Sequence, residues 1–169
     1  MSAAPRIEAA WLDAAAPRAV TAALEGAGRR ALYVGGCVRN ALMGHEAADI
    51  DVATDARPDE VMAIAAAAGL RAAPTGIAHG TVTLVHEGAP IEVTTFRRDV
   101  ATDGRRAVVA FSDDIAEDAG RRDFTMNALY ACADGTLVDP LGGLADLRAR
   151  RVRFVGDPAA RIAEDYLRI

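Results

Sequence analysis

Asp49 and Asp51 stand two positions apart in the run ADIDVAT, residues 48–54, which is otherwise apolar and β-prone. Strand side chains alternate faces, so residues i and i+2 point the same way, roughly 7 Å apart along the strand. Two like charges held side by side repel, and a divalent cation between them removes the repulsion. Upstream, Gly35 and Gly36 of YVGGCVRNAL fall between a predicted strand and a predicted helix. Exposed backbone N–H groups there can approach a phosphate closely. Arg39, in the first turn of that helix, offers a charge-assisted bond to the same group. Each feature alone has an ordinary explanation: a glycine turn before a helix is commonly structural, and a DxD is commonly a solvent-facing strand edge. Together they are what Mg²⁺-dependent phosphoryl transfer requires. Magnesium is held by one or two carboxylates, phosphate oxygens and water. Two such ions about 3.5–4 Å apart can activate an attacking hydroxyl and stabilise a leaving pyrophosphate. Neither a GxGxxG nor a GxxxxGK[ST] sequence is present, which sets aside the dinucleotide fold and the P-loop.

Other chemistries find less support. His45, His79 and His86 are scattered, without a His or Cys at ligand spacing, so zinc is disfavoured. Ser112 has no glycine-framed elbow. Cys37 and Cys132 lie far apart and read as free thiols. The acidic run SDDIAEDAG reads as a solvated helix face. A net charge of −5 does not advertise a nucleic-acid binder, although arginines cluster at 97–98, 105–106, 121–122 and 148–153. All 19 basic residues are Arg, in a chain also rich in Ala and Gly; coding bias explains most of them, and only arginines inside a motif carry weight.

The elements that must position these groups follow from pattern. The 169 residues, 51% apolar and 25% charged, suit one globular domain or one domain plus the start of another. No apolar run approaches a membrane span, and the N-terminus is broken by charges and prolines, so a cytoplasmic protein is expected. Residues 6–16 and 17–29 read as helices, with Pro17 in a first turn. A strand then runs into the glycine pair, and a short helix closes at Gly44. DIDVAT is the next strand. Residues 57–70 form a helix between Pro58 and Gly69, and residues 80–88 and 91–97 two strands around a turn at 88–90. Residues 99–112, with Asp103 and Gly104 and no clear period, read as a mobile loop. GRRDFTMNALYACADGTLVDP reads as a helix and a short strand. The segment from Asp157 reads as a helix with Pro158 in its first turn and Ile162, Tyr166, Leu167 and Ile169 at helical spacing. It has no stop signal, so the sequence is expected to be part of a longer protein.

The order of VGGxVR, DxDxxT, RRDFTxNA, DPxGGxxDL and EDxxR, over about residues 30–169, resembles the head domain of tRNA nucleotidyltransferases (CCA-adding enzymes) and bacterial poly(A) polymerases. These belong to the DNA polymerase β-like superfamily. The resemblance implies an α+β fold: a small, mostly antiparallel sheet with helices packed on one side, plus the first helix of an α-helical neck. It divides the chain into an N-terminal helical segment (1–29), a head (30–147) and the start of a neck (148–169). It implies template-independent transfer from CTP and ATP to the 3′ end of tRNA, with Mg²⁺ as cofactor, and no membrane partner.

Residue by residue, the resemblance gives Asp49 and Asp51 the catalytic metals. Gly35 and Gly36 pack against the triphosphate and Arg39 contacts it. Arg122, Asp123 and Asn127 contact triphosphate and sugar, with Arg122 on phosphate. Asp165 and Arg168 match the start of the neck motif that pairs with the base edge of ATP or CTP; a carboxylate and a guanidinium together can imitate a Watson–Crick partner. Residues 139–147 match the turn from head to neck. Two departures stand out. Asn40 replaces the family's usual Asp, which removes a charge but no metal ligand. Glu92 sits where related sites often place a third carboxylate, and reads equally as that or as a structural partner of an arginine. Poly(A) addition by the same family, and a nucleotide- or RNA-binding module without turnover, remain the alternatives.

Overall fold

A computed structural model describes residues 3–103 and 106–168, with the side chains of 101–108 left aside. Its centre is β1 (Leu32–Val34), fully buried and flanked antiparallel by β2 (Asp51–Thr54) and β8 (Tyr130–Ala131). Beyond β2 come β5 (Ala89–Thr95), β4 (Thr81–His86) and β3 (Arg71–Gly76); beyond β8 comes β9 (Leu137–Val138). The β2–β5 pair is parallel and the other pairs are antiparallel, giving the mostly antiparallel sheet expected. A separate two-stranded ribbon is formed by β6 (Arg97–Asp103) and β7 (Arg106–Phe111).

Three helices, α1 (Ala15–Gly26), α2 (Gly36–Leu42) and α3 (Pro58–Ala67), bury one face of the sheet. Val20, Leu24, Val38, Val61 and Ala65 meet Tyr33, Val52, Val82, Leu84, Ile91 and Val93 there. Strand alternation sends the intervening residues to the second face. Leu32, Val34, Ala53, Phe96 and Tyr130 form a smaller cluster on that side with Ala119 of α4 (Ile115–Gly120). Asp51 and Glu92 share the second face by the same alternation, where no long helix covers them.

Local chemistry explains most boundaries. Pro58 opens α3, and the Glu60 carboxylate accepts from the Arg57 N–H at 2.8 Å, closing the N-terminal turn. Gly69, at φ 72°, ends the helix with Leu70 N–H on the Ala65 carbonyl. The β4–β5 turn is Glu87 and Gly88, both at positive φ, which matches the twist of a two-residue hairpin and leaves Pro90 inside β5 rather than in the turn.

Five sequence expectations are corrected. Residues 6–16 are not one helix: Ile7 N–H bonds the Gly135 carbonyl, Arg6 bridges Thr136, Ala10–Asp13 form a 3₁₀ turn, and α1 starts only at Ala15. Pairing with a segment so distant in sequence leaves no local trace. The loop at 99–112 is the β6–β7 ribbon, whose alternation is broken by a register shift between Asp99 and Ala101; Gly104 and Arg105 lie outside the described residues. RRDFTMNALY is not a helix. The Asp123 carboxylate accepts from Phe124 N–H (2.7 Å) and Asn127 Nδ2 (3.0 Å), and these local bonds favour a turn, a 3₁₀ segment (Thr125–Asn127) and then β8. The last helix, α6 (Pro158–Glu164), is capped by Asp157 but stops at Asp165, whose carboxylate accepts from Leu167 N–H at 3.0 Å. Asp49 lies outside β2, exposed, so the aspartates are not neighbours within one strand. One strand, β3, was not foreseen, because Pro74 and Gly76 make it read as loop.

Candidate nucleotide and metal site

The parallel register of β2 and β5 sets Asp51 beside Glu92, and neighbouring strands lie about 4.8 Å apart. Asp51 is half-buried, and its carboxyl is raised above its ordinary value by burial first, then by Glu92 and Asp49, with Arg122 opposing. Asp49, although it has left the strand, still acts on Asp51 through its charge. Among the described residues no arginine forms an ion pair with Glu92. Among the described residues no three His, Cys, Asp or Glu side chains close up into a self-sufficient metal cage. An open set of carboxylates carrying excess negative charge suits a hard divalent ion that takes its remaining oxygens from substrate and water.

Asp51 also reaches the glycine turn. The Cys37 thiol, in the first turn of α2, is raised by burial and feels both the Asp51 backbone and its charge. Gly35 has φ 77° and ψ −128°, a conformation open to glycine alone. Its N–H is spent on the Leu129 carbonyl at 3.1 Å. A Cβ on Gly35 would stand 3.9 Å from Arg122 Nη1 and 3.8 Å from the Asn127 carbonyl oxygen; one on Gly36 would stand 3.6 Å from Arg39 Nη2. The turn is thus lined by two guanidinium groups.

The polar residues of RRDFTMNALY are wired to α2. Arg39 Nη1 donates to Asn127 Oδ1 at 2.6 Å, and Asn127 Nδ2 donates to Asp123 Oδ1 at 3.0 Å. Arg39 Nε also donates to Asn40 Oδ1 at 3.2 Å. The Asn40 amide in turn donates to the Glu46 carbonyl at 3.1 Å, a bond that a carboxylate at this position could not make. Asn40 thereby ties down the loop leading to Asp49.

Sequence reasoning missed Asp118 and Tyr130. Asp118 sits in the acidic run taken as a solvated helix face, yet it is 1% exposed and ion-paired to Arg121 (3.2 Å) and Arg122 (3.1 Å). Burial pushes its carboxyl up, but Arg122, Arg121 and the Tyr130 hydroxyl outweigh burial and hold it below its ordinary value. The only available signal was an acid at i−3 and i−4 to the two arginines.

A cleft of about 330 Å³ is lined by Arg121, Arg122, Asp123, Asp165, Leu167 and Arg168. The structure therefore brings Asp165 and Arg168 to the arginine motif. Arg161 fastens this corner: it donates to the carbonyls of Val155 (2.8 Å), Gly120 and Arg121 (3.3 Å). Arg168 donates to Glu164 at 3.0 Å and to the Arg161 carbonyl at 3.1 Å. Residues 139–147 form a tight corner. Asp139 accepts from Gly143 and Leu144 N–H at 2.8 and 3.0 Å, opening α5 (Gly143–Arg148).

A seven-stranded, mostly antiparallel sheet with paired acids beside a glycine turn defines a polymerase β-like nucleotidyltransferase head. The chain belongs to the poly(A) polymerase head-domain family, whose model matches residues 31–153. It is 47% identical over 154 residues to a CCA-adding enzyme of Levilactobacillus brevis, covering 90% of this chain and 38% of that protein. It is 48% identical over 136 residues to the mitochondrial CCA tRNA nucleotidyltransferase 1 of Danio rerio, covering 80% and 32%. The crystal structure of the Bacillus stearothermophilus CCA-adding enzyme in complex with CTP superposes with a TM-score of 0.78 at 42% identity, covering 88% of this chain and 35% of that one. A tRNA nucleotidyltransferase complexed with a primer tRNA and an incoming ATP analogue gives 0.68 at 30% identity, covering 88% and 42%. The chain thus spans about a third to two fifths of the length of these relatives. Among the described residues no helix is long and apolar enough to cross a membrane.

Proposed function

We propose that this chain is the nucleotide-binding and catalytic part of an enzyme that adds CMP and AMP from CTP and ATP to the 3′ end of tRNA. The observation that carries the reading is the meeting of Asp51, Asp49 and Glu92 with a glycine turn flanked by Arg39 and Arg122. The named ligands of the relatives support the choice of CTP, ATP and tRNA.

Asp49 and Asp51 hold divalent metal, which we take to be Mg²⁺, and Glu92 stands close enough to orient a metal-bound water or share a ligand site. Bound there, the metal would lower the pKa of the tRNA 3′-hydroxyl and neutralise the triphosphate. Gly35 and Gly36 let the phosphates approach the backbone. Arg39 and Arg122 bind phosphate oxygens, while Asn127 and Asp123 fix Arg39 and face the sugar. Asp165 and Arg168 read the base edge from the far side of the cleft. Holding the triphosphate in line with the hydroxyl is the main work of these side chains, since positioning and charge stabilisation carry most of phosphoryl-transfer catalysis. The division at residues 29 and 147 places every phosphate and metal group in the head and the base-reading pair in the neck. A cytoplasmic location belongs to the same proposal, although the vertebrate relative is mitochondrial by name.

The family model is named for poly(A) polymerases, so A-only addition is the second reading. The test is incorporation into tRNA lacking its 3′ CCA by the intact protein carrying this chain. Successive addition of C, C and A that stops there supports CCA addition; extended A tracts support the second reading. Asp49→Ala and Asp51→Ala should each abolish incorporation while leaving the fold intact.

A further inference from the structure

Arg122 is held along one edge and open along the other. Its Nε donates to the Tyr130 hydroxyl at 3.1 Å and its Nη2 to Asp118 Oδ2 at 3.1 Å. The guanidinium lies over the Tyr130 ring, 5.5 Å from its centroid. The Tyr130 hydroxyl donates to the same Asp118 oxygen at 2.7 Å. Nη1 remains, and it faces the Gly35 turn.

The anchor is itself immobilised. Asp118 Oδ1 accepts from the Arg97 N–H and from Arg121 Nε, both at 3.2 Å. Its carboxylate thus takes four donors from the first ribbon strand, the arginine motif and β8. A buried carboxylate saturated in this way is rigid, and its partners inherit the rigidity. Arg97, lowered to about 10 by burial and by Arg121, shares the same site, where Asp118 and then Asp99 oppose that lowering.

We infer that Asp118 and Tyr130 are positioning residues that aim Arg122 Nη1 at the phosphates of a nucleoside triphosphate in the Gly35 turn. The inference rests on the reading of Arg122 as a phosphate ligand and adds what makes it one. A guanidinium presents donors in a fixed plane, so fixing Nε and Nη2 fixes the direction of Nη1. Without that hold, the arginine must be ordered by the ligand itself, which weakens phosphate binding.

The test is titration of the chain with Mg·CTP and with cytidine, followed by amide chemical shifts, for Tyr130→Phe, Asp118→Asn, Arg122→Ala and the double variant Tyr130→Phe/Arg122→Ala. Tyr130→Phe removes one hydroxyl and keeps the ring, so it reports even where Asp118→Asn fails to fold. Each of Tyr130→Phe and folded Asp118→Asn should weaken Mg·CTP binding about three- to tenfold, the loss of one to two oriented charge-assisted bonds, and leave cytidine unchanged. In the Arg122→Ala background, Tyr130→Phe should have no further effect. Unchanged Mg·CTP binding in Tyr130→Phe, or an effect of equal size in the Arg122→Ala background, overturns the inference while leaving Arg122 a phosphate ligand. If Arg122→Ala itself binds Mg·CTP as the parent does, the phosphate role of Arg122 falls, and the positioning role with it.

Discussion

Asp51 and Glu92 face one another across the parallel strands β2 and β5, both on the side of the sheet away from α1, α2 and α3. Their charges repel, and Asp49 adds to the repulsion. Because burial and these neighbours raise the folded-state pKa of Asp51, its contribution to stability is fully present below its ordinary value of 3.8. It is lost as pH rises through the raised value. At neutral pH without metal, Asp51 therefore costs the fold stability. Asp51→Asn should raise the melting temperature at pH 7 in EDTA, and the gain should vanish below pH 3. Mg²⁺ should raise the melting temperature of the parent and much less that of Asp51→Asn. A parent protein indifferent to Mg²⁺ would count against the metal assignment.

Gly143 is a second pressure point. A Cβ there would overlap the Thr125 carbonyl oxygen and lie 2.8 Å from the Thr125 carbonyl carbon. The backbone of the DPLGGLADL corner thus packs directly on the segment that carries Asn127. Gly143→Ala should destabilise by about 1–3 kcal/mol, the cost of overpacking a tight contact. Its neighbour Gly142, at φ 75° with nothing near its Cβ direction, should cost only about 1 kcal/mol as Ala, from left-handed strain alone. Urea denaturation of both variants orders them. A reversed order would mean that the corner yields more readily than its contacts indicate.

Glycines of this kind show what was legible in the sequence. Gly35, Gly44 and Gly69 marked turns because their conformational freedom is a local property, and Pro58 marked a helix start for the same reason. The acids, the glycine pair and the arginine motif were all found, since each is a cluster of chemistry at short spacing. What escaped was long-range. Residue 7 pairs with residue 135, and the strand containing Asp51 meets Glu92 only because the sheet makes β2 and β5 parallel neighbours. Asp118 was hidden by composition: an acid in a run of acids looks solvated until two arginines fold over it.

The β6–β7 ribbon changes what amide exchange should look like. Its register pairs Arg97 with Phe111 and Asp99 with Val109, while Ser112 N–H bonds the Phe96 carbonyl at 2.7 Å. An isolated two-stranded ribbon is marginal in water. The amides of its base should therefore exchange more slowly than an open loop but faster than those of β5, which is paired on both sides. Exchange at the base as fast as in an unfolded peptide would mean that the ribbon does not persist in solution.

Arg161 is the chief polar tie between α6 and the arginine motif, donating to carbonyls on both sides of the corner. Arg161→Ala leaves those acceptors to water and should raise the exchange rates of α6 amides by about tenfold or more, for the loss of two or three hydrogen bonds. The sheet should be unaffected, since α6 contributes no buried residue to the core. Global destabilisation would show that the corner carries more of the fold than this contact pattern assigns to it.

The last prediction concerns which bases this chain can tell apart. The groups proposed for phosphate and metal, Gly36, Arg39, Asp51 and Arg122, would make contacts that are the same for every nucleotide. The proposed base readers, Asp165 and Arg168, line the cleft but stand on a segment whose apolar side chains are bare: Tyr166 is 76% and Leu167 93% exposed. Asp165 spends one oxygen on Leu167 N–H, and Arg168 is engaged with Glu164 and the Arg161 carbonyl. These contacts turn part of each side chain back onto its own segment, which weakens its hold on a base. The 169-residue chain should therefore bind the four nucleoside triphosphates weakly, in a Mg²⁺-dependent way, and with nearly equal affinity. Titration with CTP, ATP, GTP and UTP decides the matter. A preference for CTP and ATP of about tenfold, or 1.4 kcal/mol, would show that this chain already reads the base; its persistence in Arg168→Ala would put that reading in the head and take the role from Asp165 and Arg168.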